Sequence, residues 1–176
     1  GGNASFSVMA NTLRGVYGTD VLIAAANSFT GSVLKADYTP KMAASMIMPN
    51  SLFAYQRTMT GAELKETVRA FVEGCEGGFV PFNRGSLPVV SGIAVEVKEA
   101  SGSYTLTGIT RNGQPLRDDD TVTVTCLATA KQMTPLLADK SGAFTGGDKQ
   151  VKSTWTEYVS GGGAALAEPE NYMTLR

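Results

Sequence analysis

The chain has 176 residues, 43% of them apolar and 18% charged, with a net charge of −1 and no histidine. This composition excludes a disordered tail and a basic nucleic-acid binder, and the missing imidazole removes the commonest general base and zinc ligand. No apolar run nears the roughly 20 residues that span a bilayer, so no membrane insertion is expected, and the length suits a single domain over residues 1–176.

The chain starts Gly1-Gly2 without an initiator methionine, which reads as a cleavage scar or an excised domain, with any targeting signal further upstream. Phe6, Met9, Leu13 and Val16 fall near helical spacing over 5–17, and Gly18 suits a C-cap. Val21 to Ala26 is apolar without alternation, as in a strand covered on both faces, and breaks at Asn27-Ser28. Pro40 suits the first turn of a helix over 41–46, and Leu52 to Thr58 reads as a strand.

"MTGAELKETVRAF", residues 59–71, is the most heavily specified stretch. Thr60 and Glu63 form a capping box, Met59 and Leu64 a hydrophobic staple, and Leu64, Val68, Phe71 and Val72 one apolar stripe, with Gly74 ending the helix. Hairpins dominate the second half. Ile93, Val95 and Val97 alternate with polar residues, Ser101-Gly102 turns into Tyr104 and Leu106, Asn112-Gly113 is a two-residue turn, and Val122, Val124 and Cys126 mark a final half-buried strand. Short helices are expected over 127–137, kinked or cut short by Pro135, and over 153–159, while 142–147 and 161–163 read as glycine loops. The fold class is α+β, a mixed sheet with hairpins packed against several helices.

The short motifs are weak. Ser32 and Lys35 match the S-x-x-K spacing of serine acyl-transfer enzymes, with Lys140-Ser141-Gly142 extending the match, but the middle S-D-N element is missing. Asp118, Asp119 and Asp120 read as a solvated turn rather than a cation site, because consecutive turn residues point in different directions. Phe79, Phe82 and Arg84 read as a loop with aromatics under the sheet rather than a stacking face. Phe144 to Lys149 reads as an ordinary glycine loop, not an anion nest. Cys75 and Cys126 lack metal-ligand spacing and read as buried thiols, with a bridge between them left open. No catalytic or metal-binding residue is assigned.

Taken together, "GTDVLIAAAN", "TMTGAELKETV", "LPVVSGIAVEV" and "ITRNGQPLRDDDTVTVTCLA" resemble the C-terminal domain of the periplasmic and cell-surface 5'-nucleotidase family. The likeness covers nearly the whole chain, with "ANTLRGVYG" at the family's first helix and "EPENYMTLR" near its closing segment. It implies that an N-terminal domain missing from this chain carries the divalent metals and the phosphoester hydrolysis, while this domain grips a nucleoside- or nucleotide-like ligand by stacking and by arginine contacts. It also implies a periplasmic or extracellular location.

The family's site positions are occupied by other residues. Asn27-Ser28-Phe29-Thr30 stand where the family has Gly-Gly-Ile-Arg, so Thr30 replaces an arginine. Pro49-Asn50-Ser51-Leu52 replace Pro-Phe-Gly-Asn, and Thr129 replaces an aromatic, with Met133 to Pro135 near the family's Gly-Gly-Asp. A Gly-Gly-Asp does occur about 13 residues later, at Gly146 to Asp148. The resemblance therefore implies a diverged pocket over Asn27, Ser28, Phe29, Thr30, Asn50, Ser51 and Thr129. The alternative is a noncatalytic ligand- or protein-binding module that kept the fold and lost nucleotide binding.

Overall fold

The computed structural model describes residues 4–31, 39–73, 87–137, 144–161 and 166–176. Helix α1 (Ala4–Tyr17) buries Met9, Ala10 and Leu13, and its chain leaves through Gly18, whose φ of +66° lets its N–H reach the Arg14 carbonyl at 2.9 Å. Val16, expected on the apolar stripe, is 38% exposed. The buried face centres on the Met9-Leu13 ridge, and Val16 falls outside it.

Strand β1 (Val21–Ala25) is buried at every position, as its unbroken apolar run requires, and a short 3-10 turn (Ala26–Ser28) follows. Helix α2 (Pro40–Ser45) has Pro40 in its first turn, and Thr39 caps it by accepting the Met42 N–H. Strand β2 (Phe53–Thr60) feeds straight into α3 (Gly61–Glu73).

The capping box forms as the spacing requires. The Thr60 N–H donates to Glu63 Oε2 at 2.8 Å and the Glu63 N–H to Thr60 Oγ1 at 3.2 Å, worth about 1 kcal/mol. Leu64, Val68 and Phe71 then bury the stripe, each side chain contributing about 2 kcal/mol on removal from water. The Gly74 terminus lies outside the described residues.

Strand β3 (Pro88–Ser91) turns through Gly92 into β4 (Ala94–Ala100), which pairs antiparallel with β5 (Ser103–Arg111) across Ser101-Gly102. Asn112-Gly113, both with positive φ, close a second hairpin onto β6 (Gln114–Pro115). Strand β7 (Thr121–Ala128) is neither final nor half-buried. It lies in the middle of the first sheet, parallel to β1 and antiparallel to β2, with Thr125 to Ala128 all fully buried. Its threonines mimic an exposed face, but Thr125 spends its hydroxyl on Thr19 at 2.8 Å and Gln56 at 3.3 Å.

Helix α4 (Ala130–Leu137) starts after β7 and runs two residues past Pro135 rather than stopping at it. Of the expected glycine loop at 142–147, residues 142–143 lie outside the described residues and 145–147 belong to strand β8 (Thr145–Gln150), on the edge of the first sheet beside β2. Helix α5 (Val151–Ser160) and strand β9 (Met173–Leu175) complete the chain.

The first sheet has the order β3-β1-β7-β2-β8 and the second β6-β5-β4-β9, both mixed. Helix α1 packs on β1 and β3, α2 on α5, and α3 on β2 and β5, where the Glu73 carboxylate accepts the Leu106 N–H at 2.8 Å. The fold is thus the α+β arrangement expected, with two sheets where the sequence suggested one.

Candidate functional site

Adjacent parallel strands β1 and β7 end level with each other, Ala24 pairing with Leu127, and β2 begins at the same end, Phe53 pairing with Ala128. Residues 26–30, 49–52 and 129 therefore converge at one end of the first sheet. Crevices outside the carboxyl ends of parallel strands are where open α/β sheets place their ligands. The predicted positions are brought together, but most of their side chains already have structural work.

Asn27 and Ser51 are exposed. Ser28 is buried, and its carbonyl accepts the Met48 N–H at 3.0 Å. Phe29 is 2% exposed, bridges Ile47 and sets its ring 5.9 Å from that of Phe6, so it is core rather than a free stacking surface. Thr30 donates its N–H to the Met46 carbonyl at 2.9 Å and its hydroxyl to the Ser45 carbonyl at 2.7 Å. The loop after β1 is thereby stitched to the end of α2.

Asn50 accepts a hydrogen bond from the Lys152 ammonium, reaching across from the first turn of α5. Thr129 is the N-cap of α4: it accepts the Gln132 N–H at 3.3 Å, and the Gln132 side chain accepts the Thr129 N–H at 2.8 Å. That capping box is legible as Thr-x-x-Gln, a signal the sequence reading passes over. Lys152 is missed as well. Nothing near Asn50 in sequence points to a residue 102 positions away.

The segments meeting here carry a sign. Residues 26–31, 39–52, 129–133 and 151–154 include Lys41, Lys131 and Lys152 and no aspartate or glutamate. Met42 and Met48, on the 39–52 segment, are each 45% exposed. Gly146 to Asp148 lie on β8, with Gly146 opposite Tyr55, two residues along β2 from Phe53. A Cβ on Gly147 would sit 2.6 Å from the Tyr55 ring, so the edge strand crosses that ring only because the residue is glycine. Burial of the Tyr55 phenol raises its pKa above the usual value. Arg57 stacks over Phe144 at 5.8 Å and pairs with Glu63.

The other candidates resolve differently. Asp118 and Asp119 are about four-fifths exposed, Asp118 pairing with Lys65 and Asp120 accepting the Arg117 N–H at 2.9 Å, which makes the run a turn. Among the described residues no group of three or more carboxylates or thiolates forms a metal site. Cys126 is buried and free, and burial pushes its thiol up to about 12. Ser32, Lys35, Cys75, Phe79, Phe82 and Arg84 lie outside the described residues.

By sequence alone the chain matches no protein-family model and no curated protein. By structure it is similar to a 5'-nucleotidase precursor from Thermus thermophilus, at a TM-score of 0.68 and 14% identity, over 98% of this chain and 35% of that one. The chain has the 5'-nucleotidase C-terminal-domain fold. A NAD nucleotidase from Haemophilus influenzae gives a TM-score of 0.66 at 17% identity over 99% of this chain and 33% of that one. A sulfate thiohydrolase, also from Thermus thermophilus, gives 0.59 at 13% identity over 96% and 31%.

The chain therefore spans about a third of the length of these solved chains. At such identities the likeness carries the fold, and the thiohydrolase among them means that the fold does not by itself specify a nucleotide. Among the described residues no helix is long and apolar enough to cross a membrane.

Proposed function

We propose that this chain is the substrate-gripping, noncatalytic domain of a larger 5'-nucleotidase-like phosphoesterase, working in the periplasm or outside the cell beside a separate metal-bearing domain. The ligand face is the end of the first sheet where β1 and β7 finish. The observation that carries this reading is the presence of Lys41, Lys131 and Lys152 on the segments that lead to this end of the sheet, with Asp148 on the adjoining strand β8 as a carboxylate beside them, a net cationic setting suited to a phosphate. Met42 and Met48 supply apolar surface for a base or sugar in place of aromatic stacking.

A second reading has its own observation. Thr30, Asn50 and Thr129 are spent on internal hydrogen bonds and Phe29 is core, which favours a binding module that kept the fold and gave up the nucleotide. Thermal unfolding separates the two. With millimolar AMP, the first reading expects a melting-temperature rise of a few degrees, larger than with adenosine, since a ligand at about 100 times its Kd adds about 2.7 kcal/mol. No rise with either ligand refutes it and leaves the binding module.

A further inference from the structure

The opposite end of the first sheet, where β1 and β7 begin, holds a polar cleft of about 430 Å³ at the junction with the second sheet. Two guanidinium groups, Arg14 from α1 and Arg111 from the end of β5, line it and are both fastened to Asp20. The Asp20 carboxylate is already satisfied. Its Oδ2 accepts the Thr123 N–H at 2.8 Å and hydroxyl at 2.9 Å, and its Oδ1 accepts from Arg111 Nη2 at 2.7 Å.

Arg14 donates Nε–H to Ser91 Oγ at 2.7 Å and Nη1–H to the Asp20 carbonyl at 3.5 Å; its charge acts on the Asp20 carboxylate, but it makes no direct ion pair among the described residues. A guanidinium has five N–H donors, so both arginines keep donors unspent at the cleft. Gly92 lets the turn after β3 pack directly on the Asp20 backbone, since a Cβ there would lie 2.0 Å from the Asp20 carbonyl oxygen. We propose that the Arg14–Arg111 cleft binds the carboxylate group of a small molecule.

The planar forks of arginine match a carboxylate bidentately. Asp20 and Glu170 offset the two guanidiniums, so the cleft carries no net charge, which disfavours a phosphate dianion more than a monocarboxylate that is held by the unspent N–H donors. This site stands apart from the lysine-bearing face, and either can fail without the other.

Acetate titrated into the ¹⁵N-labelled chain at constant ionic strength tests it, with inorganic phosphate as the comparison anion. Saturable amide shifts at Gly92, Asn112 and Gly113 are expected with acetate, weaker ones with phosphate, and an acetate affinity about tenfold lower in Arg14→Gln. Shifts that grow linearly without saturating, phosphate binding as tight as acetate, or an Arg14→Gln variant that binds equally well overturns the proposal. Because Arg14 also ties α1 to Ser91, Glu170→Gln provides a second variant whose side chain makes no hydrogen bond among the described residues. It should bind acetate more tightly, and unchanged affinity there also overturns the assignment.

Discussion

Replacing Gly61 by alanine separates helix propensity from packing. Gly61 is the first residue of α3, where alanine would ordinarily stabilise by up to about 1 kcal/mol. Here a Cβ would stand 1.8 Å from the Arg117 carbonyl oxygen and 2.9 Å from its carbon, both backbone atoms that cannot rotate away. Reaching an ordinary 3.4 Å contact requires the helix start and the 117–120 turn to part by about 1.6 Å. That separation sacrifices the Gly61 N–H to Asp120 carbonyl bond at 2.7 Å and the Ala62 N–H to Asp118 carbonyl bond at 3.1 Å. At about 1 kcal/mol per bond plus about 1 to 3 for overpacking, less the propensity gain, Gly61→Ala should destabilise by about 2 to 4 kcal/mol. Urea unfolding followed by circular dichroism should show the midpoint falling by about 1 to 2 M, at a slope near 2 kcal/mol per M. A midpoint equal to or above that of the unmodified chain refutes the argument.

Thr129→Ala should cost about 1 kcal/mol by uncapping α4 yet leave any AMP-induced melting shift unchanged; a lost shift would make Thr129 a ligand contact. Glu63→Ala removes the side-chain half of the α3 capping box and the counter-ion of Arg57, whose side chain is only 10% exposed, and should cost about 2 kcal/mol by denaturant titration, with Glu63→Gln recovering part of it. Cys126, its thiol pushed up to about 12 by burial, should resist thiol reagents in the native chain at pH 8 and react once urea unfolds it. The Thr123 backbone bond, with help from the Thr123 hydroxyl and Arg111, holds the Asp20 carboxyl below its usual value. Its stabilisation is therefore complete above about pH 4 and lost as pH falls through the lowered value, so Asp20→Asn should be less stable than the parent at pH 7 and converge with it in acid.

The elements best read from the sequence are those whose reasons are local. The capping box at Thr60 and Glu63, the turns at Ser101-Gly102 and Asn112-Gly113, and Pro40 in the first turn of α2 depend on residues within a few positions, so spacing alone specifies them. Failures come where the reason is tertiary. The threonines of β7 satisfy themselves across the sheet and pass for an exposed face, although the strand is central. Gly146 and Gly147 look like loop residues, yet they let an edge strand approach Ala54 and Tyr55 more closely than any side chain allows. A glycine pair records the absence of a side chain, and only the neighbouring strand says what that absence makes room for.

The candidate site divides the same way. The positions the resemblance names fall together at one end of the sheet, because chain order and strand length fix where β1 stops and β2 starts. Side-chain roles are not legible, since Thr30, Asn50 and Thr129 are each engaged by a group from another segment or by a cap. For a ligand to use Asn50 it must displace Lys152, and for it to use Phe29 it must separate that ring from Phe6 within the core. The first exchange is inexpensive, because an ammonium released from an exposed amide is free to meet a phosphate; the second costs buried area. A phosphate-bearing ligand on this face is therefore expected to be held by Lys152 and its neighbouring lysines while Phe29 stays where it is, and Lys152→Ala should abolish the AMP response without disturbing the core.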